Sequence, residues 1–264
     1  MIDDDIVRYY GRGGELNRLA SGRGRLEFLR TWDVLARVLP PAPARILDVG
    51  GATGAYAVPL VAAGYDVHVV DPIADHVARA AEYPGVTAAV GDARALDEAD
   101  GTADAVLMLG PLYHLTDRDD RVQAWREAGR VARPGAPIVA ATISRFANFF
   151  VAFSCGYATD ADFQRILRRN LADGHHVNVS ADRRWFATAY FHRPEEMPAE
   201  VADAGLTFDR SVAVESSVTL AVEALDAVLA DPASTASLLD RLRDIEGEPS
   251  LHGASDHLLT IAHA

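Results

Sequence analysis

The chain has no lysine. All 25 of its basic residues are arginine, set against 38 carboxylates, which gives a formal net charge of −13 over 264 residues. An acidic chain without a basic cluster is poorly suited to nucleic acid, because contacts to phosphate dominate such binding. Cysteine is nearly absent as well. Cys155 stands alone, which excludes an intrachain disulfide and any cysteine-based metal site, and a small buried residue is its expected role. No apolar run approaches the ~18 residues of a membrane span, and the opening MIDDDIVRYY lacks an apolar signal region. These absences lead us to expect a cytoplasmic protein with neither a membrane nor a nucleic-acid partner. Hydrophobic residues make up 49% of the chain, enough for a sizeable core.

From Arg45 the sequence alternates between short apolar runs and amphipathic stretches. Arg45–Val49, Asp66–Val70, Val86–Val90, Ala103–Leu109 and Ala136–Ile143 read as strands. Ala55–Ala63, Ile73–Glu82 and Asp119–Ala132 read as the helices between them. That rhythm implies right-handed βαβ units and a parallel sheet. Before it, Glu15–Leu39 predicts one or two helices interrupted at Ser21-Gly22-Arg23-Gly24, and Tyr9 to Gly14 reads as an aromatic-bearing arm that is either frayed or a flap. After it, residues 145–193 are rich in aromatics, with helical pieces near 147–155 and 160–172. Regular elements return with a helix from Pro194 to about Asp203, a strand over Leu206–Glu215, helices over Val218–Leu229 and Ala233–Ile245, and a closing strand over His257–His263.

The chemistry gathers where strands end. Val49 is followed by Gly50, Gly51 and Gly54. Glycine is needed where the backbone takes φ > 0 or approaches a ligand closely. A dinucleotide site would want G-x-G-x-x-G, and Val49 stands where the first of those glycines should be. Asp48, just before the turn, instead suits a ligand carrying an ammonium, such as S-adenosylmethionine, which has no pyrophosphate. Asp71-Pro72 closes the second strand and can accept from ribose hydroxyls. Asp92-Ala93 follows the third and can meet an adenine edge, and Leu109-Gly110 follows the fourth. Open α/β sheets bind ligands at this edge.

With the motifs DVGGATG, VHVVDP, GDAR and ADAVLMLGPLYHL, residues 44–144 resemble the class I S-adenosylmethionine-dependent methyltransferases. GRLEFLR upstream and TAYFHRPEE downstream are similar to a bacterial, small-molecule branch of that family. The resemblance implies a Rossmann-like, doubly wound α/β fold with a seven-stranded, mostly parallel sheet whose last strand is antiparallel. It implies one domain over 1–264: a helical arm over 1–43, a cofactor-binding core over 44–144, a substrate-lid insertion over 145–193, and completion of the sheet over 194–264. It makes Asp48, Gly50, Gly51, Gly54, Asp71, Pro72, Asp92, Ala93 and Leu109 the expected cofactor shell, with S-adenosylhomocysteine as product. Ala52 replaces a common glycine, and we expect a turn with φ < 0 there.

Methyl transfer needs an acceptor held opposite the departing sulfur, and a base only where the acceptor carries a proton that must leave. His114 and His192 are the candidate catalytic groups. Tyr10, Tyr113, Arg145 and Tyr190 are candidate acceptor contacts, and Arg25 a candidate partner for the cofactor's carboxylate. His175-His176, with Asp173 and Asn178 nearby, is expected to lie on a loop without a recognisable ligand set, so no metal is expected. The expected acceptor is a small, partly apolar molecule, and the protein is expected to be a monomer or homodimer. Two other outcomes fit the same cofactor site: a reaction of S-adenosylmethionine other than methyl transfer, or a non-catalytic cofactor sensor.

Overall fold

The computed structural model describes residues 3–13, 18–178, 182 and 184–264. Gly14, Glu15 and Leu16, part of the expected arm and first helix, lie outside the described residues. Seven strands form the main sheet: β1 (Arg45–Val49), β2 (Asp66–Asp71), β3 (Val86–Val90), β4 (Ala105–Met108), β5 (Pro137–Ile143), and two later strands, Thr207–Ala213 and His257–His263. Two short strands, β6 (His175–His176) and β7 (Ala189–Tyr190), pair apart from it, so the later two are β8 and β9. The order is β3-β2-β1-β4-β5-β9-β8. The first five are mutually parallel, and β9 runs antiparallel to both β5 and β8. This is the expected fold, including the placement of β8 and β9 as the final pair.

The helices are α1 (Asp4–Tyr10), α2 (Gly22–Val38), α3 (Ala57–Ala62), α4 (Ala74–Ala80), α5 (Arg118–Val131), α6 (Ala147–Ser154), α7 (Ala161–Asp173), α8 (Glu196–Asp203), α9 (Val222–Ala230), α10 (Pro232–Ile245) and α11 (Pro249–His252). They cover both faces of the sheet. All four β4 residues are therefore buried, which is why the strand reads as a continuous apolar run rather than an alternating one. On one face Trp125, Met197 and Ile138 pack together; on the other, Leu35, Leu60 and Leu107.

Arg30 of α2 is fully buried and bonds Asp33 at 2.5 Å, Glu246 at 2.7 Å and the Val214 carbonyl at 3.1 Å. With all its charge matched, it fixes α2 against the segment after α10. The interruption expected at residues 21–24 falls at residues 19–21, between helical Arg18 and α2; Gly22 and Gly24 lie in the first turn of α2, where Ser21 takes the N-cap position. The expected helix over Val218–Leu229 instead divides into a 3-10 turn, Ser216–Leu220, and α9. Cys155, expected to be buried, is exposed at the end of α6. Among the described residues no helix is long and apolar enough to cross a membrane.

Trp125 carries much of one core layer, being fully buried beneath the sheet. Trp125→Ala is expected to cost about 3–5 kcal/mol of stability, read as a shift in the denaturation midpoint by urea titration.

Candidate functional site

Asp48 is the fourth residue of β1 and is 1% exposed. Neither of its oxygens accepts a hydrogen bond among the described residues. Burial, and then the neighbouring charge of Asp71, push its carboxyl up to about 7. The turn that follows is shaped around this group. A Cβ on Gly51 would lie 2.5 Å from Asp48 Oδ2, so only glycine leaves room for the carboxylate. Gly50 has φ 72° and a Cβ there would meet Pro111 at 2.8 Å. Ala52, expected at φ < 0, has φ 47°. It is held there because its N–H donates to Asp71 Oδ2 at 3.0 Å. Asp71 Oδ1 accepts from the Ile73 N–H at 2.9 Å and faces His76 Nδ1 at 3.2 Å. The acid at the end of β2 thus organises the backbone at the ends of two strands.

These residues open onto a cavity of about 250 Å³. Asp48, Gly50, Gly51, Asp71, Pro72, Asp92, Ala93 and Leu109 all line it, as do Tyr10, Tyr113 and His114. Gly54 does not; its φ of 88° and its N–H bond to Gly51 O at 2.9 Å make it part of the turn behind the cavity. Asp92 already bonds the Arg94 side chain through both oxygens, at 2.9 and 2.6 Å.

Helix α1 closes part of the cavity. Asp3 caps it by accepting from the Asp5 N–H at 2.8 Å, and two carboxylates in its first turn suit the helix dipole. The stretch expected as an arm is therefore helical up to Tyr10. Asp5 Oδ2 accepts from the Thr188 N–H and hydroxyl at 2.8 and 3.0 Å. The Thr188 carbonyl faces His114 Nδ1 at 3.1 Å. A carbonyl only accepts, so Nδ1 carries the proton, and Nε2 accepts from the Tyr10 hydroxyl at 2.6 Å. Burial pulls the His114 imidazole down to about 4. His114 is thus a neutral histidine with both nitrogens engaged.

Tyr10 and Tyr113 also line a second cavity of about 280 Å³, together with Arg18. Its walls carry Tyr157, Phe163, Trp185 and Phe186, and its polar groups include Asn148, His176, Asp256 and His257. His176 Nδ1 accepts from Asn148 Nδ2 at 2.8 Å and Nε2 donates to the Phe186 carbonyl at 3.2 Å; burial pulls it down to about 4. The two histidines at 175 and 176 lie not on a loop but in β6, paired with β7.

Besides Gly54, four expected site residues line neither cavity. Arg25 is exposed on α2, while Arg18, not singled out from the sequence, lines both. Arg145 is 3% exposed and bonds the Phe191 carbonyl, the Tyr190 hydroxyl and Glu196. Tyr190 donates to Glu196 Oε1 at 3.0 Å and stacks under Arg121 at 4.0 Å. His192 is fully buried, with neither nitrogen hydrogen-bonded and Glu200 Oε2 3.7 Å away; burial lowers its pKa. These three join β7 and its following loop to α8. The Asp256-His257 pair at the start of β9 was also missed. The available signal was the strand's direction: running antiparallel, it begins at the edge where the parallel strands end.

Residues 46–135 match the family model described as "Methyltransferase domain". An uncharacterized methyltransferase of Mycobacterium tuberculosis (strain ATCC 25618 / H37Rv) is 40% identical over 100 residues, which span 37% of this chain and 39% of that relative. Among solved structures, an S-adenosylmethionine-dependent methyltransferase from Methanosarcina mazei superposes with a TM-score of 0.60 at 16% identity, over 87% of this chain and 96% of that one. Geranyl diphosphate C-methyltransferase from Streptomyces coelicolor A3(2), solved with S-adenosyl-L-homocysteine, superposes with a TM-score of 0.53 at 14% identity, over 88% and 78%.

Two stability effects follow from the turn. A left-handed alanine costs ~1–2 kcal/mol, and glycine's extra chain entropy returns part of that. Ala52→Gly should therefore stabilise the protein by about 0.5–1 kcal/mol, measured by urea titration. Asp48 has its folded pKa raised to about 7, so its contribution to stability is lost as pH rises from the ordinary carboxylate range through about 7. Asp48→Asn should melt higher than the parent without ligand, with the gap widening from pH 5 to pH 8 in thermal scans.

Proposed function

We infer that this chain, whose residues 46–135 match a methyltransferase-domain family model, is a class I S-adenosylmethionine-dependent methyltransferase that transfers the methyl group of S-adenosylmethionine to a small molecule held in the second cavity. The observation that carries this reading is a buried carboxylate without a partner, Asp48, beside a glycine turn in a cavity that shares Tyr10, Arg18 and Tyr113 with an aromatic-walled neighbour. Cofactor fit is supported by that orphaned acid, which an α-ammonium would satisfy, and by the space that Gly51 keeps open.

When bound, S-adenosylmethionine supplies a methyl activated by a sulfonium: the acceptor's lone pair forms the new bond as the carbon–sulfur pair stays on sulfur. The chain's own residues position and enclose. Asp48 holds the ammonium end. Asp71 keeps a lone-pair direction on Oδ2 for a ribose hydroxyl beyond its bond from the Ala52 N–H. Asp92 and Ala93 face the adenine side. Leu109 forms the wall near the methionine moiety, and Tyr113 stands at the junction of the two cavities. Helix α1 acts as a lid latched through Asp5–Thr188 and Tyr10–His114, and closing it excludes water from the reacting centre. His114 holds Tyr10 in place and takes no proton, because its nitrogens are both engaged and it stays neutral above pH 5. His192, Arg145 and Tyr190 are structural. Residues 1–43 and 145–193 together enclose the acceptor within one domain.

A titration with S-adenosylhomocysteine tests the reading, followed by a methyl-transfer screen over a metabolite panel that reports its release. Asp48→Asn removes a charge-assisted bond worth ~1.5–3 kcal/mol, so affinity should fall about 10- to 100-fold. Because Asp48 must be ionised to accept, parent affinity should rise between pH 6 and pH 8, and the variant's should not.

A further inference from the structure

The second cavity has a polar end at the start of β9. Asp256 there is 8% exposed and lines the cavity. Its carboxylate accepts no hydrogen bond among the described residues: Oδ1 is buried without a partner, and the nearest cation, Arg23, stands 3.9 Å from Oδ2. Arg23 Nη2 is itself buried without a partner, but Arg23 does not line the cavity; the charged side chains that do line it, other than Asp256, are matched. Arg18 bonds Glu27 with both nitrogens, at 2.5 and 3.0 Å. His257 Nδ1 donates to Glu215 Oε1 at 2.7 Å, and Glu215 Oε2 accepts from the Ser255 hydroxyl and the His257 N–H. Burial works against a charged His257, but Glu27 and Glu215 outweigh it and hold the imidazole up at about 9. Arg184, at the outer wall, bonds Asp182 and Asp160. On the cavity wall the unmet demand is therefore a buried carboxylate's demand for a donor, and leaving it unmet is costly. The remaining walls are aromatic, with Tyr9, Tyr113, Tyr157, Phe163, Trp185 and Phe186, and ring faces attract cations.

We propose that this chamber selects an acceptor with a planar or apolar body and a cationic nitrogen, with Asp256 anchoring that nitrogen. The proposal rests on the methyltransferase reading and names the acceptor class for the same site. Geometry sets the acceptor's reach. Strand β9 lies two places from β4 in the sheet, and neighbouring strands are about 4.8 Å apart, so the anchor sits ~10 Å from the strand whose end faces the methionine moiety. The anchored nitrogen is thus a recognition group at the far end of the acceptor. The methylated atom sits at the junction beside Tyr113. Burial, with Glu215 next to it, pushes the Asp256 carboxyl up to about 6 without a ligand, in keeping with a site that a bound cation would relieve.

The test uses the full chain saturated with S-adenosylhomocysteine, titrated calorimetrically with 2-phenylethylamine and with its anionic isostere 3-phenylpropionate. The amine should bind at least tenfold more tightly than the carboxylate, and Asp256→Asn should abolish that preference while leaving S-adenosylhomocysteine affinity within twofold. Because Asp256 makes no side-chain hydrogen bond, the variant should melt no lower than the parent. The parent's amine-to-carboxylate ratio is decisive even if the variant misfolds. Tighter binding of the carboxylate, binding of neither probe, or an unchanged amine affinity in the folded variant would overturn the proposal. Failure of the parent to bind S-adenosylhomocysteine would overturn the methyltransferase reading instead, and the first titration reports that separately.

Discussion

A buried carboxylate with no hydrogen-bond partner among the described residues sets the terms for the rest of the site. Asp48 sits at the end of a strand covered on both sides, so burial in the core comes with its place in the sheet. An unpaired buried charge is expensive, and the chain lowers the cost by letting the group hold its proton up to about pH 7. Its neighbours are arranged so that nothing in the protein relieves it. Gly51 has no side chain to donate, and a Cβ would collide with the acid. Asp71 adds negative charge nearby and spends part of its accepting capacity on the Ala52 and Ile73 N–H groups. Those two bonds hold Ala52 in a left-handed conformation, so strain in the turn and charge in the cavity have a common origin.

This dependence explains why the core was legible in the sequence. Strands buried on both faces leave apolar runs, and the acids and glycines that must follow them leave sharp punctuation. Val86–Val90 could be bounded to the residue, and the pairing of β8 with β9 followed from the family pattern. The substrate side was less legible because order along the chain does not say which way a side chain turns. Arg145 and His192 come just after strands and Tyr190 ends one, where site residues are expected. Yet the small β6–β7 pair and α8 draw them into a buried polar cluster with Glu196, Glu200 and Arg121. Their spacing is compatible with either role, and tertiary contacts decide between them. Asp256-His257 was hidden for the converse reason: it precedes a strand, and only the antiparallel direction of β9 brings it to the ligand edge.

The absence of lysine has a structural counterpart. A guanidinium offers five donors in a fixed fork, and this chain uses that capacity to bind several acceptors at once. Arg30 ties two carboxylates and a carbonyl, Arg94 ties Asp92 and Asp120, and Arg130 ties Glu127, Asp100 and two carbonyls. With 38 acids and 25 arginines, such sharing matches most of the acids that burial would otherwise penalise. Against that background a buried carboxylate with no hydrogen bond stands out. Among the described residues Asp48 and Asp256 are in that position, whereas the buried Glu200 still engages Arg121 through its other oxygen.

One of these two acids lines each cavity, and the cavities meet at Tyr10, Arg18 and Tyr113. The histidines between them, His114 and His176, are held neutral by burial and locked by carbonyl partners, so they add shape and hydrogen bonding without adding charge. Two cation-seeking ends, separated by a middle of rings, neutral histidines and an Arg18 matched by Glu27, form a layout consistent with the proposed joining of a cofactor with an ammonium terminus to an acceptor with a cationic one. In that layout positive charge is drawn to the two far ends and away from the junction, where a second cation beside a sulfonium would be repelled. On the proposed reading the acceptor's reacting atom would then meet the methyl with a free lone pair, as in-line displacement requires.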